Sequence, residues 1–133
     1  MQQMPKSGVG SSLELSQLIV GAAMKVLNTL KPGLDEKAYE NALAIELRKR
    51  ACRVEQQRHF DFVYEGVIVD TLVPDLIVNE TIIVDPKVTE DFTQTHLAQM
   101  LGYLAITNVG SALLLNFKFA DLRWRRVVRK QTQ

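Results

Sequence analysis

The 133-residue sequence contains one cysteine, Cys52, and two histidines, His59 and His96. A single cysteine excludes an internal disulfide framework. A structural zinc site takes about four cysteine or histidine ligands, so these three residues argue against one. Low cysteine use suits a reducing compartment, and we expect a cytoplasmic protein in which Cys52 is a small buried or half-buried side chain.

Long apolar runs are also missing. The longest apolar stretch, residues 18–24, is far too short to span a membrane, so no membrane partner is expected. The first residues lack the basic start and apolar run of a signal peptide, and their polar, glycine-bearing composition predicts a flexible segment over 1–11. With 47% hydrophobic residues, the remainder, 12–130, is expected to form a single domain around a real core.

The net charge of +1 creates no global field that would indicate a nucleic-acid partner. Basic residues do cluster locally, in two places: Arg48, Lys49, Arg50 and Arg53, and then Lys118, Arg123, Arg125, Arg126, Arg129 and Lys130. Such patches could bind phosphates, or they could be solvated surface, and composition leaves both interpretations open.

Hydrophobic periodicity predicts two helices at the start of the chain. Apolar residues recur at helical spacing from Leu15 to Leu30, with Ser11 or Ser12 as the cap and a break at 31–33. The second helix is predicted over 35–50, with an apolar side formed by Ala38, Ala42, Ile45 and Leu47.

The rest of the chain predicts one mixed sheet. Strands are expected over 53–64, 67–78 and 81–88, joined by turns at Glu65-Gly66 and Asn79-Glu80 and therefore antiparallel. A third helix over 92–107 makes a crossover, so the apolar strand 111–117 should be parallel to the third strand. A last strand over 122–128 completes an α/β fold.

The second hairpin concentrates the residues that suggest chemistry. Its turn places Asp75 opposite either Val84 or Asp85, depending on loop length, and the longer loop brings the two carboxylates face to face. Asp85 and Lys87 share one face of the strand, and Ile82 and Val84 point to the other. Pro86 requires the strand to end, bulge or lie at an edge. Two acids and a lysine can form a cation site that cleaves phosphodiesters, although an acid and a lysine at this spacing also occur on solvated edges.

Polar residues on the second and third helices extend this set. His96, Gln99 and Tyr103 form one stripe on the third helix, where they could contact phosphates or simply be exposed. Glu36, in the first turn of the second helix, could reach the hairpin as a third metal carboxylate. Glu40 lies near Glu36 by helical angle, and Glu46 lies further round.

Four motifs together resemble a known family. Gly33-x-x-Glu36-x-x-Tyr39 resembles the signature of the GxxExxY protein family, which belongs to the PD-(D/E)xK nuclease superfamily. Pro74-Asp75 and Asp85-x-Lys87 match the superfamily signature, and Gln99 to Tyr103 resembles the Gln-x-x-x-Tyr motif of its RecB-like members. The similarity extends over about 13–126. The family usually has Glu in a Glu-Leu-Lys context where this chain has Asp85-Pro86-Lys87.

The resemblance implies a restriction-endonuclease-like αβββαβ core with one extra N-terminal helix. It implies a Mg²⁺-dependent (or Mn²⁺-dependent) nuclease acting on nucleic acid, with DNA the expected substrate. Its metal ligands would be Glu36, Asp75 and Asp85, its catalytic lysine Lys87, and its supporting residues Gln99 and Tyr103. The alternative is an inactive nuclease fold that binds nucleic acid or a protein partner, and a homodimer is left open.

Overall fold

The computed structural model describes residues 11–129. The elements in chain order are α1 (Ser12–Leu30), α2 (Glu36–Lys49), β1 (Val54–Gln56), β2 (Phe60–Tyr64), β3 (Val67–Leu72), β4 (Leu76–Val78), β5 (Ile82–Lys87), α3 (Gln94–Thr107), β6 (Ser111–Asn116) and β7 (Arg123–Val128). Apart from Ser11, the segment predicted to be flexible lies outside the described residues, as does the predicted end of the domain at 130. None of the helices in 11–129 is long and apolar enough to cross a membrane.

Local signals in the sequence set the bounds of the first two helices. Ser11 caps α1, because its side-chain oxygen accepts a hydrogen bond from the N–H of Glu14 at 3.1 Å. After α1, Lys31 has a φ of 67° and Gly33 a φ of 119°, a region in which a side chain would be strained. The predicted helices and the break between them are therefore confirmed, with α2 starting at Glu36.

A five-stranded mixed sheet in the order β1-β4-β5-β6-β7 forms the centre of the fold. β4 and β5 are antiparallel, and α3 crosses over so that β6 runs parallel to β5. β7 returns antiparallel to β6. The predicted mixed sheet, flanked by helices, is confirmed.

The two faces of the sheet bury separate apolar clusters. Ile82 and Val84 pack with α1 and α2 on one face, and Ile83 packs with α3 on the other. The prediction that Ile82 and Val84 point into the core is confirmed. Because side chains alternate along a strand, Asp85 and Lys87 project from the face that α3 covers.

Two of the predicted strands are wrong in extent. The 53–64 segment breaks after β1, where Gln57 has a φ of 59°, and the 67–78 segment breaks before β4, at Pro74. Pro74 has no N–H to donate to a ladder, and a left-handed residue turns a strand out of its sheet. β2 and β3 consequently pair only with each other and form a separate hairpin. The apolar side chains of that hairpin are largely exposed, for example Val67 at 61%.

The apolar side predicted for α2 is also partly wrong. Ile45 is 61% exposed, whereas Tyr39, Leu43 and Leu47 are fully buried. Tyr39 stacks on Phe117 of the opposite layer, with ring centroids 4.6 Å apart and planes within 7°. This stacked pair sets which side of α2 faces the sheet. The expectation that Cys52 is buried is confirmed.

Candidate active site

The turn between β4 and β5 decides the register of the two acids. Asn79 and Glu80 have φ values of 53° and 57°, and Thr81 N–H donates to the carbonyl of Val78 at 2.9 Å. Val78 pairs with Ile82, so Thr81 belongs to the loop and the loop is three residues long. Leu76 then pairs with Val84. One residue further along, Asp75 stands opposite Asp85, which is the outcome of the longer of the two loops considered from sequence.

Pro86 lies inside β5 rather than at its end. The strand pairs with β6 as far as Lys87, whose carbonyl accepts from the N–H of Phe117 at 2.9 Å. Consecutive residues of a strand point their backbone N–H and C=O groups to opposite sides. Lys87 points these groups toward β6, so the backbone nitrogen of Pro86, which has no hydrogen, faces away from β6. β4 does not reach Pro86 on that side, because its ladder with β5 starts at Leu76. The proline therefore occupies a local edge within a central strand, one of the three situations expected from sequence.

Asp85 is a buried acid in contact with two charged neighbours. It is 6% exposed, and its Oδ2 lies 3.3 Å from the Nζ of Lys87. Burial raises the pKa of Asp85 to about 7, and hydrogen bonding and repulsion from Asp75 add to the rise, while Lys87 partly offsets it. The Asp85 carboxyl therefore favours holding its proton up to near neutral pH.

Helix α3 supplies two polar groups to the same place. Gln99 Nε2 lies 3.3 Å from the hydroxyl of Tyr103. Burial raises the pKa of Tyr103, and the nearby Asp85 and Asp75 raise it further. Tyr103 is therefore a protonated hydroxyl facing the acid pair.

All six residues assigned to the site from sequence line one cavity of about 240 Å³: Glu36, Asp75, Asp85, Lys87, Gln99 and Tyr103, together with Val73. Glu36 belongs to α2, and its Oε2 accepts a hydrogen bond from the N–H of Val88 at 3.0 Å. Within residues 11–129, no group of three or more histidine, cysteine or acidic side chains is close enough together to hold a metal ion. The cavity therefore combines Asp75 and Asp85 as a close pair with Glu36 further along its wall.

His96, the remaining member of the predicted polar stripe, does not line this cavity. Its Nδ1 accepts from the N–H of Thr93 at 3.1 Å, and its own N–H donates to the Thr93 hydroxyl. This reciprocal capping box starts α3. Of the three residues of the predicted stripe, Gln99 and Tyr103 line the cavity.

Two further polar residues adjoin the acids but were not assigned to the site from sequence. Gln57 Nε2 donates to Asp75 Oδ1 at 3.2 Å and to Glu40 Oε2 at 3.1 Å. For Glu40, the sequence predicts only that it lies near Glu36 on the helix. Gln57 follows a short strand and has no distinguishing pattern around it, so no sequence signal could have indicated it.

The fold and this cavity define the class of protein. A mixed sheet that carries Asp85 and Lys87 on its central strand, with Asp75 opposite Asp85, is a restriction-endonuclease-like arrangement. A family model described as the PD-(D/E)XK nuclease superfamily matches residues 13–127. The chain belongs to this superfamily. Membership supports a nuclease function, and the nucleases of this superfamily generally use divalent metal ions.

The fold is shared with a solved structure. The chain is similar to an alkaline exonuclease (LHK-Exo) from Laribacter hongkongensis, with a TM-score of 0.50 and 11% identity, over 86% of this chain and 82% of that one. It is also similar to the protein SSO0001, with a TM-score of 0.47 and 14% identity, over 92% of this chain and 55% of that one. Among curated proteins, no sequence matches significantly.

Proposed function

We propose that this protein is a metal-dependent nuclease that hydrolyses phosphodiester bonds, with DNA as its substrate. The observation that carries the proposal is the grouping of Asp75, Asp85 and Lys87 in one cavity, with the lysine 3.3 Å from the buried acid. Superfamily membership supports it. Within the superfamily, we assign the chain to the GxxExxY family, with Gln99 and Tyr103 as a RecB-like motif.

The donor atoms of the cavity fit a divalent cation. Asp75 and Asp85 would hold it as a close pair, and oxygen ligands suit Mg²⁺ or Mn²⁺. Glu36 is the third carboxylate of this proposal, although within residues 11–129 it does not lie close enough to the pair to form a group of three. Burial is the main cause of the raised pKa of Asp85, and Asp75 adds to it, so a bound cation would favour the ionised carboxyl that the site otherwise disfavours. When bound, such a cation supplies a more acidic water and neutralises charge on a phosphate.

The protein's own groups have separable roles in this proposal. Lys87 places a fixed positive charge beside the attacked phosphate and stabilises the charge that develops there. Gln99 and Tyr103 donate hydrogen bonds to phosphate oxygens or to the attacking water. These two residues belong to α3, so they approach the phosphate from the side opposite to Glu36.

Basic residues on β7 support a nucleic-acid substrate. Through β6, Arg125 is in register with Asp85, and Arg123 with Lys87. Residues in register point to the same face, and two strand spacings separate them by about 10 Å. Both arginines are exposed, and Arg123 lies 4.1 Å above the ring of Phe119. Both are thus available to contact phosphates that flank the cavity.

Cleavage assays on matched variants test this function. Supercoiled plasmid and DNA and RNA oligonucleotides are incubated with Mg²⁺ or Mn²⁺ and wild type, Lys87→Ala, or Lys118→Ala. Lys118 pairs with the exposed Glu90 and does not line the cavity, so it controls for loss of one surface lysine.

Lys87→Ala is expected to lower turnover by a factor of about 100 or more, as removal of a charge-stabilising group does. Calorimetry should show cation binding retained, because a protonated lysine is not a metal ligand. Cleavage by Lys87→Ala at the wild-type rate would refute the mechanism. Nucleic-acid binding without cleavage by any of the proteins would instead identify a binding module.

A further inference from the structure

Asp75 occupies an irregular position for a residue at the centre of a site. It precedes β4 and belongs to no strand, so no sheet ladder fixes its backbone. Gln57 makes the contacts that a ladder would otherwise provide. Its backbone N–H donates to the carbonyl of Asp75 at 3.1 Å, and its side-chain nitrogen donates to Asp75 Oδ1 at 3.2 Å.

The same amide group also contacts Glu40. Gln57 Nε2 lies 3.1 Å from Glu40 Oε2 and 3.3 Å from Oε1. Ionised carboxylates only accept hydrogen bonds, so the NH₂ end of the amide must face both acids and its oxygen must point elsewhere. Glu40 therefore fixes which end of the Gln57 side chain meets Asp75.

Glu40 is itself rigidly held. It is 3% exposed, and it accepts hydrogen bonds from Lys37 at 3.3 Å and from Gln56 Nε2 at 2.9 Å. It lies one turn after Glu36 on the same side of α2. The same face of α2 thus carries Glu36, which lines the cavity, and Glu40, which binds the side-chain amide of Gln57.

The backbone of Gln57 supports the same interpretation. Its φ of 59° is in the left-handed region, which is unfavourable for a residue that carries a Cβ atom. Such conformations persist where surrounding contacts impose them, and they concentrate at functional sites. In this case the imposed conformation points both the N–H and the side-chain amide at Asp75.

We propose that Gln57 is a positioning residue that orients the Asp75 carboxylate for cation binding, with Glu40 as its anchor. The proposal rests on the proposed function, since it concerns how a ligand of that site is held. It assigns to Gln57 a role through Asp75 and no contact with the nucleic acid.

The adjacent glutamine provides a matched control. Gln56 also donates to Glu40, but its other partner is Asn41 at 3.0 Å and it has no contact with Asp75. The test compares Gln57→Asn with Gln56→Asn. Asparagine adopts the left-handed region more readily than glutamine, so Gln57→Asn should fold, yet its amide is one methylene too short to reach both acids.

Mg²⁺ and Mn²⁺ affinities are measured by calorimetry on the protein without nucleic acid, with thermal melts as a folding check. Gln57→Asn is expected to weaken cation binding about 10- to 100-fold, the range for residues that orient metal ligands, and Gln56→Asn to change it by less than about 3-fold. In cleavage assays, Gln57→Asn should lower kcat and leave KM for the nucleic acid unchanged.

Each outcome is decisive. Wild-type cation affinity in Gln57→Asn would overturn this proposal while leaving the proposed function intact. Equal weakening by both variants would also overturn it, because the effect would then come from support of Glu40 alone. Absence of cation binding in the wild type would overturn the proposed function and this proposal together.

Discussion

Replacing Asp85 by asparagine in the metal-free protein should stabilise the fold in a pH-dependent way. Asparagine matches the shape of a protonated aspartate but cannot ionise. The wild-type carboxyl is buried, and its pKa rises from 3.8 to about 7 on folding, chiefly because burial disfavours the charged form. Each pKa unit corresponds to about 1.4 kcal/mol, so the full shift sets an upper bound of about 4 kcal/mol.

The sign follows from proton linkage. The folded state binds Asp85's proton more tightly than the unfolded state, so the stability this proton confers is present below about pH 4 and is lost as the pH rises through about 7. The pKa already includes the opposing effect of Lys87, so loss of that ion pair does not reverse the sign. We expect the free energy of unfolding of Asp85→Asn to exceed that of wild type by about 1–3 kcal/mol at pH 8. This is less than the upper bound of about 4 kcal/mol, because buried sites relax and admit water.

Urea denaturation of both proteins in EDTA, from pH 4 to pH 9, measures the difference in the free energy of unfolding between Asp85→Asn and wild type. It should grow between about pH 4 and pH 7 and stay constant above that range. The exposed variant Asp121→Asn, the control, should stay within about 0.5 kcal/mol of wild type. Mg²⁺ should then stabilise wild type at pH 8 and have little effect on Asp85→Asn. A variant less stable than wild type at pH 8, or a difference that does not vary with pH, would refute the reasoning.

Three other changes test separate parts of the structure. Asp85→Glu should keep cation binding and cleavage at or above wild-type levels, because the longer acid is the one usual in the family that the chain resembles; loss of both in a folded protein would contradict this. Nucleic-acid affinity should fall steeply with salt, with a slope of about 0.9 per neutralised phosphate, and Arg125→Ala should reduce that slope by about one; base-specific binding that survives high salt would count against it. Phe117→Ala removes the stacking partner of Tyr39 and should cost about 3–5 kcal/mol in denaturant unfolding, and a cost below about 1 kcal/mol would show that the stack is dispensable.

Sequence patterns were informative where a local signal determines the structure. Serine before an apolar helix and glycine after it set the bounds of α1, and β-branched runs around Asn79-Glu80 predicted the hairpin that joins the acids. The register stayed ambiguous between Val84 and Asp85, because it depends on whether Thr81 belongs to the turn or to the strand. The pairing of Val78 with Ile82, which leaves Thr81 in the turn, resolves it.

Other features depend on what packs against a segment, which a pattern cannot reveal. Residues 67–72 are apolar enough for a central strand, yet they lie in an exposed hairpin, because the breaks at Gln57 and Pro74 separate them from the sheet. Ile45 is apolar but exposed, since Tyr39 and its contact with Phe117 fix the orientation of α2. The link from Glu40 through Gln57 to Asp75 joins residues 35 positions apart and has no local signature.

The two helices that wall the cavity are held with unequal strength. α2 buries Tyr39, Leu43, Ala44 and Leu47, whereas α3 buries Met100 and Leu104 among its residues. Segments with few buried apolar contacts open by local unfolding at lower free energy than the rest of a fold. In native-state hydrogen exchange, the amides of Gln99 and Tyr103 should therefore exchange faster than those of Leu43 and Leu47. Opening of α3 would widen the cavity on one side and leave Asp75 and Asp85 in place. A bulky polymer could then enter without moving these two carboxyl groups.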